Sequence, residues 1–145
     1  MAQASIRVVP SGQRSTDTPQ TPGLLREVAF DSRNPDARVL SGFLSKVQPG
    51  AATAAHHHGD QETILYVLDG RARFRWGPQL EHVTEAGVGD FVFIPGEVIH
   101  QEINASADDP TSWVVVRSHP DPVVVNLPEL AEYAEPPVRD YTPAD

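Results

Sequence analysis

The sequence predicts an all-β fold, a sandwich or barrel, on three observations. Short runs rich in β-branched and aromatic residues follow one another between Leu24 and Leu127. Gly, Pro and Asp punctuate them at the spacing of turns. No long stretch carries the 3.6-residue apolar period of a helix. The chain has 145 residues, enough for one domain core and hardly for two. With 39% hydrophobic and 21% charged residues it buries enough apolar surface to fold.

Taken in order, residues 1–23 are rich in Ser, Thr, Gln and Pro, and read as a flexible N-terminal arm in which Ile6 to Val9 favour one short strand. The barrel is expected over 24–127, from strands at Leu24–Phe30, Arg38–Val47, Thr63–Leu68, Ala72–Trp76, Phe91–Ile94, Val98–Asn104, Trp113–Arg117 and Pro122–Leu127. Strict alternation from Arg71 to Trp76 puts Ala72, Phe74 and Trp76 on one face. Arg71, Arg73 and Arg75 fall on the other, a solvated or subunit-facing surface. Asp69-Gly70 reads as the hairpin turn before that strand. Tyr66, Phe74, Trp76, Phe91, Phe93 and Trp113 are expected to be mostly core. Residues 128–145 form a Pro- and acid-rich tail in which Glu129 to Tyr133 can make one helical turn behind Pro128.

A net charge of -9 disfavours phosphate backbones and anionic lipid, so neither nucleic acid nor membrane is expected as a partner. The absence of cysteine excludes disulfides, thiolate metal sites and cysteine nucleophiles. The apolar runs are too short to span a bilayer, and no leader opens the chain, which suggests a cytoplasmic protein.

The chemical signal lies in the histidines. Within His56-His57-His58, an extended backbone puts His56 and His58 on one side about 7 Å apart, so their imidazoles can converge on one ion while His57 faces away. A second segment, Gly89 to Asn104, carries Pro95, His100, Glu102 and Asn104. His57, His82 and His119 read as surface residues. Gly70, Gly89 and Pro95 read as turn formers, and Asn104 as a loop tie.

Together these segments resemble the two motifs of a small single-domain cupin. Gly50, His56, His58, Glu62 and Gly70 approximate the first motif; Gly89, Pro95, His100 and Asn104 match the second. The resemblance implies a cupin double-stranded β-helix, an antiparallel jelly-roll barrel, with a metal inside it held by His56, His58 and His100. Glu97 stands where the second motif has Gly, with Gly96 beside it to supply the turn. Glu62 is one residue out of register, and Thr63 holds the strict ligand position.

Three residues compete as fourth ligand. Gln61 shares the inward parity of Thr63 and is the first choice. Glu62 brings a charge, and Glu102 shares a strand face with His100. The spacing is also similar to that of pirins, a cupin branch whose ligand is the Glu after the second-motif His, which favours Glu102.

The cofactor implied is a divalent ion, Fe, Mn, Ni, Zn or Co. The function expected is a metal-dependent enzyme of dioxygenase type acting on a small organic substrate. The alternatives are a metal-dependent isomerase or lyase, with Glu102 or Glu62 as proton carrier, and a non-catalytic small-ligand binder. In a metal-free barrel the Arg71, Arg73 and Arg75 face or Arg117 would hold an anion. A homodimer is expected, paired through edge strands and a swapped N-terminal arm.

Overall fold

The structure, a computed structural model, describes residues 5–20, 23–33, 37–133 and 135. Among these, ten strands form two antiparallel sheets. They are β1 (Leu24–Phe30), β2 (Ser41–Val47), β3 (His56–His57), β4 (Thr63–Asp69), β5 (Arg71–Trp76), β6 (His82–Gly87), β7 (Phe91–Ile94), β8 (His100–Asn104), β9 (Thr111–Arg117) and β10 (Val125–Asn126). One sheet runs β1-β2-β9-β4-β7 and the other β10-β3-β8-β5-β6. The sheets face each other as a jelly roll, which confirms the predicted fold class.

The period-2 alternation of the strands divides the interior into two ends. Along β9, Trp113 and Val115 point inward and are buried, while Val114 and Val116 face out. Trp113 lies against Phe74 with ring centroids 5.8 Å apart, among Val47, Leu65, Val67 and Ala72. At the opposite end the register places Ser41 and Thr63 beside Arg117 on one sheet, and His56 and Trp76 beside His100 on the other. The apolar core is centred at one end of the barrel, and the buried His56, Thr63, His100 and Arg117 gather at the other.

Several elements differ from the sequence reading. β2 begins at Ser41, not Arg38, because its neighbour β9 ends at Arg117, opposite Ser41, and leaves nothing to extend the ladder. The polar segment His82–Gly87, not predicted as a strand, becomes β6 because β5 offers it a complete antiparallel register. The run Pro122–Leu127 contracts to Val125–Asn126, and Val98–Asn104 to His100–Asn104. Ile6 to Val9 form no strand, and Ile6 and Val8 are exposed. The arm instead pairs further along, where Ser15 exchanges backbone hydrogen bonds of 2.7 and 2.8 Å with Val28 on the edge of β1.

Phe91 and Phe93 are not core. They pair with Tyr66 and Ile64 on the outward face of β4, which turns Val92 and Ile94 inward.

The arginine stripe of β5 is only partly solvated. Arg71 and Arg73 share Glu85 on β6, whereas Arg75 is buried. Its guanidinium donates to Leu80 O, to Gln101 Oε1 and, over 3.1 Å, to Tyr133 O. The 3-10 turn Pro128–Glu132 thus lies as a cap on the outside of this sheet, with Leu127 N donating to Ala55 O.

The turn before β8 also departs from expectation. Gly96 does not supply the left-handed residue; Glu97 itself adopts φ +64°. Gly96 is needed for another reason, since a Cβ there would stand 2.9 Å from Asp60 O. Glu97 N donates to Gly59 O over 2.6 Å, which ties this turn to the segment carrying His58.

Candidate metal centre

His56 lies on β3, His58 just beyond it, and His100 on β8, which pairs with β3 at His56. All three are buried. Their ring centroids are 4.4 to 5.1 Å apart, and one ligand nitrogen from each lies within 4.8 Å of the others. Three imidazoles so grouped are the kind of donor set that holds a divalent ion.

Hydrogen bonding decides which nitrogen faces the centre. His56 Nδ1 stands 2.8 Å from Ala54 O, His100 Nδ1 2.8 Å from Val98 O, and His58 Nδ1 2.7 Å from Val123 O. A carbonyl only accepts, so each Nδ1 carries the proton and each Nε2 offers a lone pair to the interior. Two of these atoms, His56 Nε2 and His100 Nε2, are buried with no hydrogen-bond partner. A buried polar atom without a partner carries a cost of about 1–3 kcal/mol, and here two such atoms share one centre. Anchored Nδ1 and orphaned Nε2 are the donor set a divalent ion requires, so the residues present fit the implied cofactor.

The same burial keeps His58 and His100 neutral. Desolvation, then the charge of Arg117, pushes His58 down to about 2. Desolvation brings His100 down to about 4, against the opposing pull of Glu102. Neutral imidazole is the ligating form, so the pocket prepares both for a metal at neutral pH.

The other sequence candidates are placed differently. Gln61 is buried, but its Nε2 donates to Asp121 O over 2.7 Å and its Oε1 accepts from Val123 N over 3.4 Å. The amide thus fastens the segment that also anchors His58, with both of its polar atoms taken by backbone groups. Glu62 is exposed, and its backbone is tied to Ser118. Glu102 is buried on β8 beside His100, but is not one of the grouped ligands. Its charge acts on His100, Arg117 and Arg26. His57 is half-buried and accepts from Gly59 N; Asn104 bonds Val47 O and Asp109 O, the loop tie expected of it.

Sequence reasoning missed Arg26. At the strict ligand position, Thr63 accepts a hydrogen bond from Arg117 Nε over 3.2 Å, and Arg117 Nη2 lies 3.3 Å from His58 Nε2. The guanidinium also stands 5.3 Å from the centre of the Phe43 ring. A cavity of about 260 Å³ opens beside it, lined by Arg26, Val28, Phe43, Arg117 and Val124 among others. A second cavity, of about 290 Å³, reaches His100 from the other seam of the barrel, between Phe74, Trp76, Phe93 and Val98.

This arrangement, a jelly roll with three inward histidines at one end, defines the class. The sequence family described as Cupin domain matches residues 43–117, just over half of the chain, and the protein belongs to that family. It is similar in structure to oxalate decarboxylase from Bacillus subtilis, with 22% identity and a TM-score of 0.64 over 74% of this chain. Oxalate decarboxylase from Lactobacillus farciminis gives 22% and 0.65 over 74%. The chain spans only 28% and 32% of those two proteins. An uncharacterized Klebsiella pneumoniae protein with a double-stranded beta-helix domain matches at 18% identity and a TM-score of 0.64, covering 84% of this chain and 97% of that one. No curated protein matches by sequence. These likenesses show the fold. Among the described residues no helix is long and apolar enough to cross a membrane.

Proposed function

We propose that this cupin is a divalent-metal-dependent enzyme of the dioxygenase type, acting on a small organic substrate, with His56, His58 and His100 as the ligands. The observation that carries this reading is the pair of buried, unpartnered Nε2 atoms on His56 and His100, each fixed by its Nδ1–carbonyl bond. Three neutral ligands leave the charge of the ion uncompensated and coordination positions open; a redox-active ion such as Fe(II) would supply dioxygen activation there.

The remaining roles belong to the chain. Glu102, buried and next but one to His100 on β8, is assigned as the proton carrier. Trp76 and Phe74 wall the cavity at His100 and keep water from the reacting atoms. Gln61 holds the Asp121–Val123 segment that orients His58. A homodimer remains part of the proposal. It is supported by Ile64, Phe91, Phe93, Val114 and Val116, which expose an apolar band on the outer face of the β1-β2-β9-β4-β7 sheet.

The test is elemental analysis of untagged protein purified without chelator, for the wild type and for His56→Ala with His100→Ala. About one ion per chain, absent from the double variant, supports the centre. Iron with dioxygen uptake on substrate addition supports the dioxygenase type. A wild type that refuses added divalent ions refutes both.

A further inference from the structure

The cavity between β1, β2 and the end of β9 is lined by two arginines, of which Arg117 reaches the histidine triad at His58. Arg117 is buried, and its partners are neutral: Thr63 Oγ1, His58 Nε2 and the Phe43 ring. Arg26 reaches the same cavity from β1, with Nη1 donating to Pro19 O. The charge of Glu102 acts on both guanidinia. Asp31 also lines the cavity, and is paired with Arg33 at 2.7 Å. A divalent ion on the triad would bring two further positive charges beside the buried Arg117. It would also take the His58 lone pair to which Arg117 Nη2 now points. Buried cations on that scale call for an anion.

We propose that this cavity is a carboxylate-binding subsite of the metal centre, with Arg117 as its principal contact and Arg26 as its second charge. This rests on reading the triad as a metal site. The substrate is then a small organic acid. Its carboxylate accepts hydrogen bonds from the Arg117 fork at the wall occupied by Thr63, and its apolar part lies against Phe43, Val28 and Val124. The volume of about 260 Å³ suits a head group with one ring or a short chain.

Calorimetric titration with benzoate, and with the neutral isostere benzamide, tests the subsite on protein loaded with Zn²⁺ at one ion per chain. Wild type, Arg117→Met and Arg26→Met are compared, with zinc content measured for each. Loss of a charge-assisted contact predicts that Arg117→Met binds benzoate roughly 10- to 100-fold more weakly with unchanged zinc content, that Arg26→Met loses less, and that benzamide binds at least about 10-fold more weakly than benzoate. No benzoate binding to zinc-loaded wild type, equal binding of benzoate and benzamide, or wild-type affinity in both variants overturns the proposal. If Arg117→Met fails to fold by circular dichroism, Arg26→Met decides by the same criteria. A wild type that takes up no zinc refutes the metal centre separately. Benzoate titration of the chelator-treated protein then decides the subsite, with arginine-dependent binding supporting it and no binding overturning it.

Discussion

Acidification from pH 7.5 to 5.0 should destabilise the chelator-treated protein through His58 and His100. The pocket holds His58 down to about 2, by burial and then by the Arg117 charge, and His100 down to about 4, by burial against the pull of Glu102. In the unfolded chain both titrate near 6.5. Above that value neither state is protonated, and the histidines cost nothing. Below it the unfolded state takes up protons that the folded state refuses, so stability falls as pH falls, by about 1.4 kcal/mol per unit for each ring. For His100 the loss levels off near pH 4, and for His58 it continues to lower pH. At pH 5.0 each ring contributes a loss of about 2 kcal/mol, about 4 kcal/mol together, against a total of about 5–15 kcal/mol for a domain. Carboxylates act in a lower window: Lys46 and Arg14 hold the Glu27 carboxyl low, so its contribution is lost only as pH falls through about 4.5 and below. Urea unfolding at half-unit steps, on wild type and on His58→Met with His100→Met, measures the difference. A loss under about 1 kcal/mol across this window, or the same slope in the double variant, would refute the assignment of two neutral, buried rings.

Three further outcomes are expected. Gln61→Leu leaves Asp121 O and Val123 N without their side-chain partner and should cost about 1–3 kcal/mol while sparing metal uptake. Folded Gln61→Leu that no longer takes up zinc would instead make the amide a ligand. Glu97→Gly relieves a left-handed φ of +64° and should raise stability by about 1 kcal/mol, read as a higher urea midpoint; a lower midpoint would mean that the side chain has a contact worth more than the strain. Trp113→Ala empties the most enclosed part of the core and removes the hydrogen bond that Thr111 Oγ1 accepts. It should cost about 3–5 kcal/mol in thermal unfolding, and a cost below about 1 kcal/mol would place the core elsewhere.

Much of the centre is legible in the sequence because its rules are local. The parity of an extended chain puts His56 and His58 on one side, and the second motif supplies His100. Even the anchoring of two rings is short-range, since His56 and His100 each bond the carbonyl two residues earlier. The alternation of Arg71 to Trp76 likewise gives the buried Ala72 and Phe74 directly. Phe91 and Phe93 are misread for want of a partner strand: alternation tells which residues share a face, and only the register with β4 tells which face is inside. The same limit hides β6, which forms because β5 offers it a ladder.

The sequence by itself determined the all-β class, most of the strands and the shared side of His56 and His58, because these follow from periodicities and spacings within a few residues, and the resemblance to the second cupin motif added His100. Tertiary structure decided what surrounds them. Gln61 hydrogen-bonds Asp121 and Val123, His58 is anchored by a carbonyl 65 residues away, and Arg26 shares a cavity with Arg117 only because β2 lies between β1 and β9. Burial then decides the chemistry, since the interior that strips water from these side chains keeps His58 and His100 neutral.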